Sequence, residues 1–573
     1  MSRYSVRLWR IAAVLLLVFV GRGEATESSA QSDQEVSLVV VLIVDQLRAD
    51  MTGDFMDQFG PGGFRRFYED GVVYPDAVMR SAPTSTGPGH ATLATGALPA
   101  VHGVIGNQWW DVSRKSPVNC VADTRHRIIG QSASSARGVS PRYLAAETFA
   151  DVIHDASGGE SRTISLSVKD RSAVLPAGHS GKAVWYSKWT GQFVTSDYYY
   201  SSLPGWASEF NATRMGQLEA HVWNLSRARP NYRFKGQDDQ PWELLGLGGA
   251  REFPHRLADS SHQSSALRFM PLADRLLVEL AKSAVTELGL GEGPAVDVLI
   301  LGLSASDYIG HAYGPDSLEW EDNLLQLDQL LAEMFDWLER DIGMQRVMVG
   351  LSSDHGVASA PEYLLSKGQS GGRVDTPGME KDLRAFLRDR FKLRDDPVLG
   401  ASYPAIYLDA AVLSAAGLDL AEVEAVAAER IQKTEGIASV LTRSDILARR
   451  IRSTPVNDRV MAGFHAERSG HLFLIQEQGW FMEEDPHYYA ATHGSPYDHD
   501  VSVPVMFLAP GLKAQVVRRE IGTEDFAPSI TRFLGLPAPR QATGVALAEI
   551  RRTKQRESYN PTDRTDQDSP RSD

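Results

Sequence analysis

The chain has 573 residues, 43% of them hydrophobic and 23% charged, enough for a large core with elaborations and unlike a disordered or fibrous composition. A formal net charge of −15 argues against a nucleic-acid backbone as the main partner. Cys120 is the only cysteine, which excludes an intramolecular disulfide and leaves histidines and carboxylates as the ligands of any zinc site.

Arg3, Arg7 and Arg10 precede the apolar run 11–20, and Gly21, Gly23 and Ala25 follow it. A basic start, a short apolar run and small residues predict a secretory signal peptide over residues 1–25 and a secreted or periplasmic protein. The run is short for a bilayer span, so no stable membrane span is expected after cleavage. Retention as an uncleaved anchor is the alternative. Removing residues 1–25 takes away four Arg and one Glu and brings the net charge to −18. Residues 26–35 are polar and read as a disordered linker.

Residues 36–44 are a continuous β-branched run that predicts a strand buried on both faces, ending at Asp45. A short amphipathic helix is expected over 62–70. The stretch 81–95 then carries three consecutive hydroxyls, Thr84, Ser85 and Thr86, followed by Gly-Pro-Gly-His and helix-forming residues. A hydroxyl at a helix entrance sits where backbone N–H groups and the dipole favour an anion. The plainer reading is a Ser/Thr-rich turn that caps a helix. Gly103, Gly106 and Asn107 follow, and 142–156 reads as helical.

Residues 163–168 alternate like a strand and deliver Lys169-Asp170-Arg171. Residues 174–262 are aromatic, Gly-rich and irregular, which suits an insertion roofing a site rather than a sheet layer. A helix is expected over 271–288. A buried strand over 296–301 leads to Asp307-Tyr-Ile-Gly-His311, and Asp316 with Glu319 predicts a capping-box start for the next helix. A strand over 346–353 ends on Asp354-His355-Gly356. Residues 375–470 read as a second insertion with weaker alternation. A polar loop, 491–500, carries His493 ahead of a last strand at 503–508, and a helix near 525–534 closes the fold. Residues 550–573 read as a disordered tail, which leaves 36–549 as one catalytic domain.

Strands alternating with helices predict a three-layer α/β fold with a mostly parallel central sheet. Ligands of such sheets bind outside the carboxyl ends of the strands, and Asp45, Lys169, Asp307 and Asp354 all follow strands. Asp307 and His311, four apart, share one face of a helical turn and can grip one metal. With Asp45, Asp354, His355 and His493 they make three carboxylates and three imidazoles, a donor set for two Zn²⁺ ions with positions left open. Two such ions clamp the attacking and leaving oxygens of an in-line displacement. Lys169 and Arg171 can point the same way and bind non-bridging phosphate oxygens, and Asn107 can add a donor. Each motif has a plainer alternative: a helix cap, a surface pair, a turn or a solvated charge run. His90, His102, His179 and His499 are read as capping or supporting groups.

Taken in order, Val44-Asp-Gln-Leu-Arg48, Pro83-Thr-Ser-Thr-Gly-Pro-Gly-His90, Gly103-Val-Ile-Gly-Asn107, Ser167-Val-Lys-Asp-Arg171, Asp307-Tyr-Ile-Gly-His311, Ser353-Asp-His-Gly356 and Thr492-His-Gly-Ser495 resemble the alkaline phosphatase superfamily. More narrowly they resemble its phosphate-irrepressible, threonine-nucleophile bacterial alkaline phosphatases. The resemblance covers roughly residues 36–545 and implies an alkaline-phosphatase-like core with insertions capping the active site. It implies Thr86 as nucleophile, one zinc on Asp307, His311 and His493, and another on Asp45, Asp354 and His355 with Thr86. It matches Asn107, Lys169 and Arg171 to phosphate-binding side chains. The implied substrates are small phosphate monoesters such as sugar phosphates and nucleotides, not a nucleic-acid duplex. The sulfatase signature, Cys or Ser followed by x-Pro-x-Arg, is missing. Two alternatives stand beside this reading: a phosphodiesterase or nucleotide pyrophosphatase of the same superfamily, whose members generally lack the Lys-x-Arg pair, and a non-catalytic metal-stabilised surface protein.

Overall fold

The computed structural model describes residues 35–131, 138–218, 220–244, 251–483 and 488–552. The expected signal peptide, almost all of the linker after it and the tail beyond 552 lie outside these residues. Among the described residues, no helix is long and apolar enough to cross a membrane.

The apolar run after Val36 becomes strand β1 (Leu38–Val44), buried along its whole length. Its residues feed two different cores in alternation. Leu38, Val40, Leu42 and Val44 pack into one, and Val39, Val41 and Ile43 into the other. A strand can be apolar throughout only when both faces of its sheet are covered. The main sheet continues with β2 (Val72–Val78), β3 (Ile128–Ile129), β4 (Thr163–Ser167), β5 (Lys182–Ser187), β6 (Gln192–Ser196), β7 (Asp297–Leu303), β8 (Val347–Ser352), β9 (Ser502–Leu508), β10 (Gln515–Val516) and β11 (Ile521–Gly522). The spatial order is β10-β2-β9-β8-β1-β7-β4-β5-β6-β3, and β11 also pairs with β2. The centre, β8-β1-β7-β4-β5, is parallel. The β9 pairings to β8 and β2 are antiparallel, as are those joining β6 to β5 and β3.

Helices Leu272–Leu288 and Leu318–Asp341 cover one face. Helices Thr86–Thr95, Phe149–Ala156 and Phe526–Phe533 cover the other, giving the three layers. Burial of a Val, Leu or Phe side chain stabilises by about 1.5–3 kcal/mol, so the two cores are the main force holding the sheet.

Several expectations need correction. The span 174–262 is not only an insertion, because β5 and β6 lie inside it and extend the main sheet. Their apolar residues, Val184 and Phe193 among them, are buried against the same core as β1. The helix expected from 142 begins at Phe149, where Thr148 and Asp151 form a reciprocal capping box. The long helix is capped by Ser317, whose hydroxyl accepts from the Trp320 N–H, and not by Asp316. The second insertion extends past 470. Its four-stranded sheet runs in the order Val398–Ser402, Ala405–Leu408, Leu472–Gln476, Ile437–Thr442. Helices Thr376–Phe391 and Leu420–Ile431 bury a separate apolar cluster against it.

Candidate active site

The carboxyl ends of β8, β1, β7 and β4 lie side by side on one rim, because these neighbours are parallel. β1 delivers Asp45, and β8 delivers Asp354 and His355 one residue after Ser353. β7 leads into the helix Ala305–Tyr313, which carries Asp307 and His311. β4 delivers Lys169. Two antiparallel steps, β8 to β9 and β9 to β2, return β2 to the direction of β8. The loop after β2 therefore reaches the same rim and starts the Thr86–Thr95 helix there.

Thr86 opens that helix after Ser85, whose backbone is extended. The Gly87 N–H donates to Asn107 Oδ1 at 2.7 Å, which leaves the Asn107 amide hydrogens for another acceptor. Thr86 Oγ1 lies 3.4 Å from Lys169 Nζ and 3.5 Å from Arg171 Nη2. Lys169 is buried and pairs with Asp45 at 2.6 Å and Asp307 at 2.5 Å, so it is no solvated surface charge. The helix packs closely on the Asp354 turn. A Cβ on Gly89 would run into the Asp354 backbone, and one on Gly87 would press on Cys120 Sγ at 3.2 Å.

Ligand atoms of Asp307, His311 and His493 lie within 4.8 Å of one another, and so do those of Asp45, Asp307 and His355. Asp307 thus borders both groups. Asp354 joins the second through Oδ2, 3.5 Å from His355 Nε2. The imidazoles are oriented alike. His311 Nδ1 meets the Ala491 carbonyl at 2.8 Å, His493 Nδ1 the Thr84 carbonyl at 2.7 Å, and His355 Nδ1 the Gly356 carbonyl at 2.9 Å. A carbonyl only accepts, so each ring carries its proton on Nδ1 and turns a lone pair inward on Nε2.

Those lone pairs converge with carboxylate oxygens. Asp45 Oδ1, Asp354 Oδ2 and His355 Nε2 are buried acceptors without a hydrogen-bond donor. Asp354 Oδ2 lies 3.1 Å from His90 Nδ1, but that N–H is directed to the Thr86 carbonyl. Burial, then the charges of Asp307 and Asp354, push the Asp45 carboxyl well above its usual range despite Lys169. Burial takes the His355 imidazole down to about 3, which keeps it neutral. Orphaned buried acceptors cost free energy unless a cation completes them. Three carboxylates and three imidazoles without a thiolate are a donor set that suits zinc.

Some supporting residues carried no clear sequence signal. Gln46 has φ 70°, and that conformation lets its backbone N–H reach Asp354 Oδ1 at 3.2 Å while its amide donates to Asp307 Oδ1 at 3.1 Å. Adjacency to Asp45 was the only hint. Tyr308 lies 5.1 Å beneath the Lys169 ammonium. Thr84 holds the His493 loop through its carbonyl and through its hydroxyl, which accepts from the Gly494 N–H and donates to the Ser495 carbonyl. Of the histidines read as supporting, His90 bonds the Thr86 carbonyl and His499 faces Ser495 Oγ at 3.2 Å. His102 bonds Thr92 Oγ1, and His179 is exposed.

The site opens into a cleft of about 650 Å³. Thr86, Asn107, Arg171, His311 and His493 line it, as do Tyr403, Phe473 and Trp480 from the second insertion.

Residues 39–496 match the family model of type I phosphodiesterases and nucleotide pyrophosphatases. The chain is 30% identical over 517 residues to the alkaline phosphatase PhoV of Synechococcus elongatus, covering 90% of this chain and 92% of that one. It is 30% identical over 542 residues to the alkaline phosphatase PafA of Elizabethkingia meningoseptica, covering 94% and 98%. The crystal structure of PafA superimposes with a TM-score of 0.85 over 90% of this chain and 99% of that chain. With the α/β core and the rim of ligands already in place, these matches establish the family. The chain belongs to the type I phosphodiesterase and nucleotide pyrophosphatase family, within the phosphate-irrepressible alkaline phosphatases of the alkaline phosphatase superfamily.

Proposed function

We propose that this enzyme is an exported phosphate-monoester hydrolase that acts through a phosphothreonine at Thr86 and uses two zinc ions. The observation that carries the proposal is the meeting, at one hydroxyl, of two cations and a buried set of donorless metal ligands. Asp307, His311 and His493 would hold one ion, and Asp45, Asp354, His355 and Thr86 the other. Bound there, the ions supply Lewis-acid stabilisation of the attacking and leaving oxygens and lower the hydroxyl pKa.

The chain's own part is positioning. Thr86 Oγ attacks phosphorus, the bond to the ester oxygen breaks, and the alcohol leaves with a proton. Water then attacks the phosphothreonine, releasing phosphate and regenerating the hydroxyl. Arg171, Lys169 and the Asn107 amide face the non-bridging oxygens, where their charge and hydrogen bonds are directed before reaction. The Ser85–Thr86 helix entrance adds its dipole. Small phosphate monoesters are the expected substrates.

The test is acid quenching during turnover of a radiolabelled monoester, with peptide mapping and metal analysis of the same preparation. Label on Thr86, about two zinc ions per chain and their loss with activity on chelation are the expected results. Thr86→Ala should lose several orders of magnitude in rate and keep its fold. Label on Thr84 or Ser85, or full activity in metal-free protein, would defeat the proposal.

A further inference from the structure

Beside Arg171 and next to the cleft lies a second cavity of about 300 Å³. Four residues, Arg171, Lys188, Arg268 and Tyr308, line both spaces. Lys188 follows β5 and is exposed, held over the Trp189 ring at 4.8 Å. Arg268 is half-buried and braced by neutral groups. It donates to the Ser265 carbonyl and hydroxyl and to the Tyr308 hydroxyl at 2.9 Å, and it stacks over the Phe269 and Tyr308 rings. Among the described residues, neither cation has a carboxylate within ion-pair distance. Asp170 is the acid in this wall. It accepts from the Arg171 backbone N–H at 2.7 Å and sits 4.0 Å from the Arg171 guanidinium.

Two features argue against an ordinary solvated surface. Arg268 is fixed in place by aromatic stacking and neutral acceptors, a costly arrangement for a side chain with many rotamers. Both cations also line the cleft and the second cavity together with the guanidinium that faces the reacting hydroxyl. The Lys188 ammonium is held below its usual range, first by desolvation and then by repulsion from Arg268, which a bound anion would relieve.

We infer that Lys188 and Arg268 form a second anion subsite, which takes a phosphate or carboxylate carried on the alcohol part of the substrate. This inference rests on the monoesterase reading and narrows its substrate class to phosphate monoesters with a second anionic group, such as a sugar bisphosphate. Arg268 supplies a planar fork and Lys188 a mobile point charge, so the subsite would accept tetrahedral and planar anions alike.

The experiment compares kcat/KM for fructose 1,6-bisphosphate and glucose 6-phosphate, in the zinc-loaded wild type and in Lys188→Ala and Arg268→Gln. Each variant should lose about three- to tenfold on the bisphosphate, the range for a partly exposed charge contact. Lys188→Ala should stay within about twofold on the monophosphate, and 0.5 M salt should shrink the wild-type preference. Equal losses on both substrates in Lys188→Ala, or no loss on either, would overturn the subsite. Arg268→Gln also disturbs Tyr308, so the Lys188 variant decides. A wild type with no activity on either ester would instead defeat the monoesterase reading itself.

Discussion

Under the proposed function, Arg171 is the residue on which monoester preference should turn. Its guanidinium approaches the Thr86 hydroxyl, and its nearest acid, Asp170, is 4.0 Å away, so its charge remains available to a substrate. Lys169 differs, because it already lies between Asp45 and Asp307. A monoester dianion offers three non-bridging oxygens, whereas a diester offers two and carries an alkyl group on the third. A charge-assisted hydrogen bond is worth about 1.5–3 kcal/mol, and each 1.36 kcal/mol is tenfold in rate. Arg171→Ala should therefore lower monoester kcat/KM by about ten- to a hundredfold. The loss on a diester should be smaller, as measured with aryl phosphate and diaryl phosphate in parallel. Equal losses would point to general damage to the site. Lys169 and Arg171 were legible in the sequence as cations just beyond a strand, although the expected extended stretch is instead a helix start, with Lys169 as N-cap and Arg171 in the first turn of Asp170–Ala177. The burial of Lys169 between two acids was not legible, because those acids come from distant segments.

At the scale of one element, the Thr86–Thr95 helix shows why the stretch reads Thr-Gly-Pro-Gly-His. Its first turn lies against the Asp354 backbone, and Gly89 has no room for a side chain. His90, one residue on, bonds the Thr86 carbonyl beside Asp354 Oδ2. A methyl group at Gly89 must push the helix away from β8 or displace Asp354. Overpacking of this kind costs about 1–3 kcal/mol. Gly89→Ala should lower Tm by about 1–3 °C and also lower bound zinc and kcat, because Thr86 and Asp354 move apart. A drop in Tm with zinc and kcat unchanged would separate the packing from the site. The helix entrance was visible from hydroxyls followed by glycines. The reason for the second glycine appears only when β8 is beside it.

For the whole molecule, a buried acid group joins the 174–262 span to the long helix. Glu243 and Glu319 are nearly inaccessible, His255 Nε2 lies 3.0 Å from Glu319 Oε1, and one oxygen of each Glu lacks a donor. Asp238 and Asp239 add negative charge, and Arg251 opposes it. Burial, with those acids, raises the Glu243 carboxyl to about 8. The unfolded carboxyl titrates near its ordinary value, so the native state binds the extra proton between that value and about 8. Stability is then fully present below the unfolded pKa and declines as pH rises through the folded one. Glu243→Gln removes the ionisation and should be near neutral in effect at pH 5. At pH 9 it should raise Tm by about 1–3 °C, checked by calorimetry at both values. A variant whose gain over the wild type is no larger at pH 9 than at pH 5 would rule out this linkage.

The sequence by itself determined the α/β class, the strands that reach the rim and the residues that stand at their ends. Periodicity and apolar runs report burial locally, and β1 is apolar throughout because it feeds two cores. Tertiary structure alone decided which strands pair and in which direction. It placed β5 and β6 in the sheet, turned β9 antiparallel and so returned β2 and Thr86 to the catalytic rim. It also decided the supporting shell: the left-handed Gln46, the Nδ1 bonds of three histidines to carbonyls, and the arrangement of Asp307 between two ligand groups. The physical reason is that pairing direction and hydrogen-bond orientation depend on neighbours hundreds of residues away, while the sequence reports only what each segment buries or exposes.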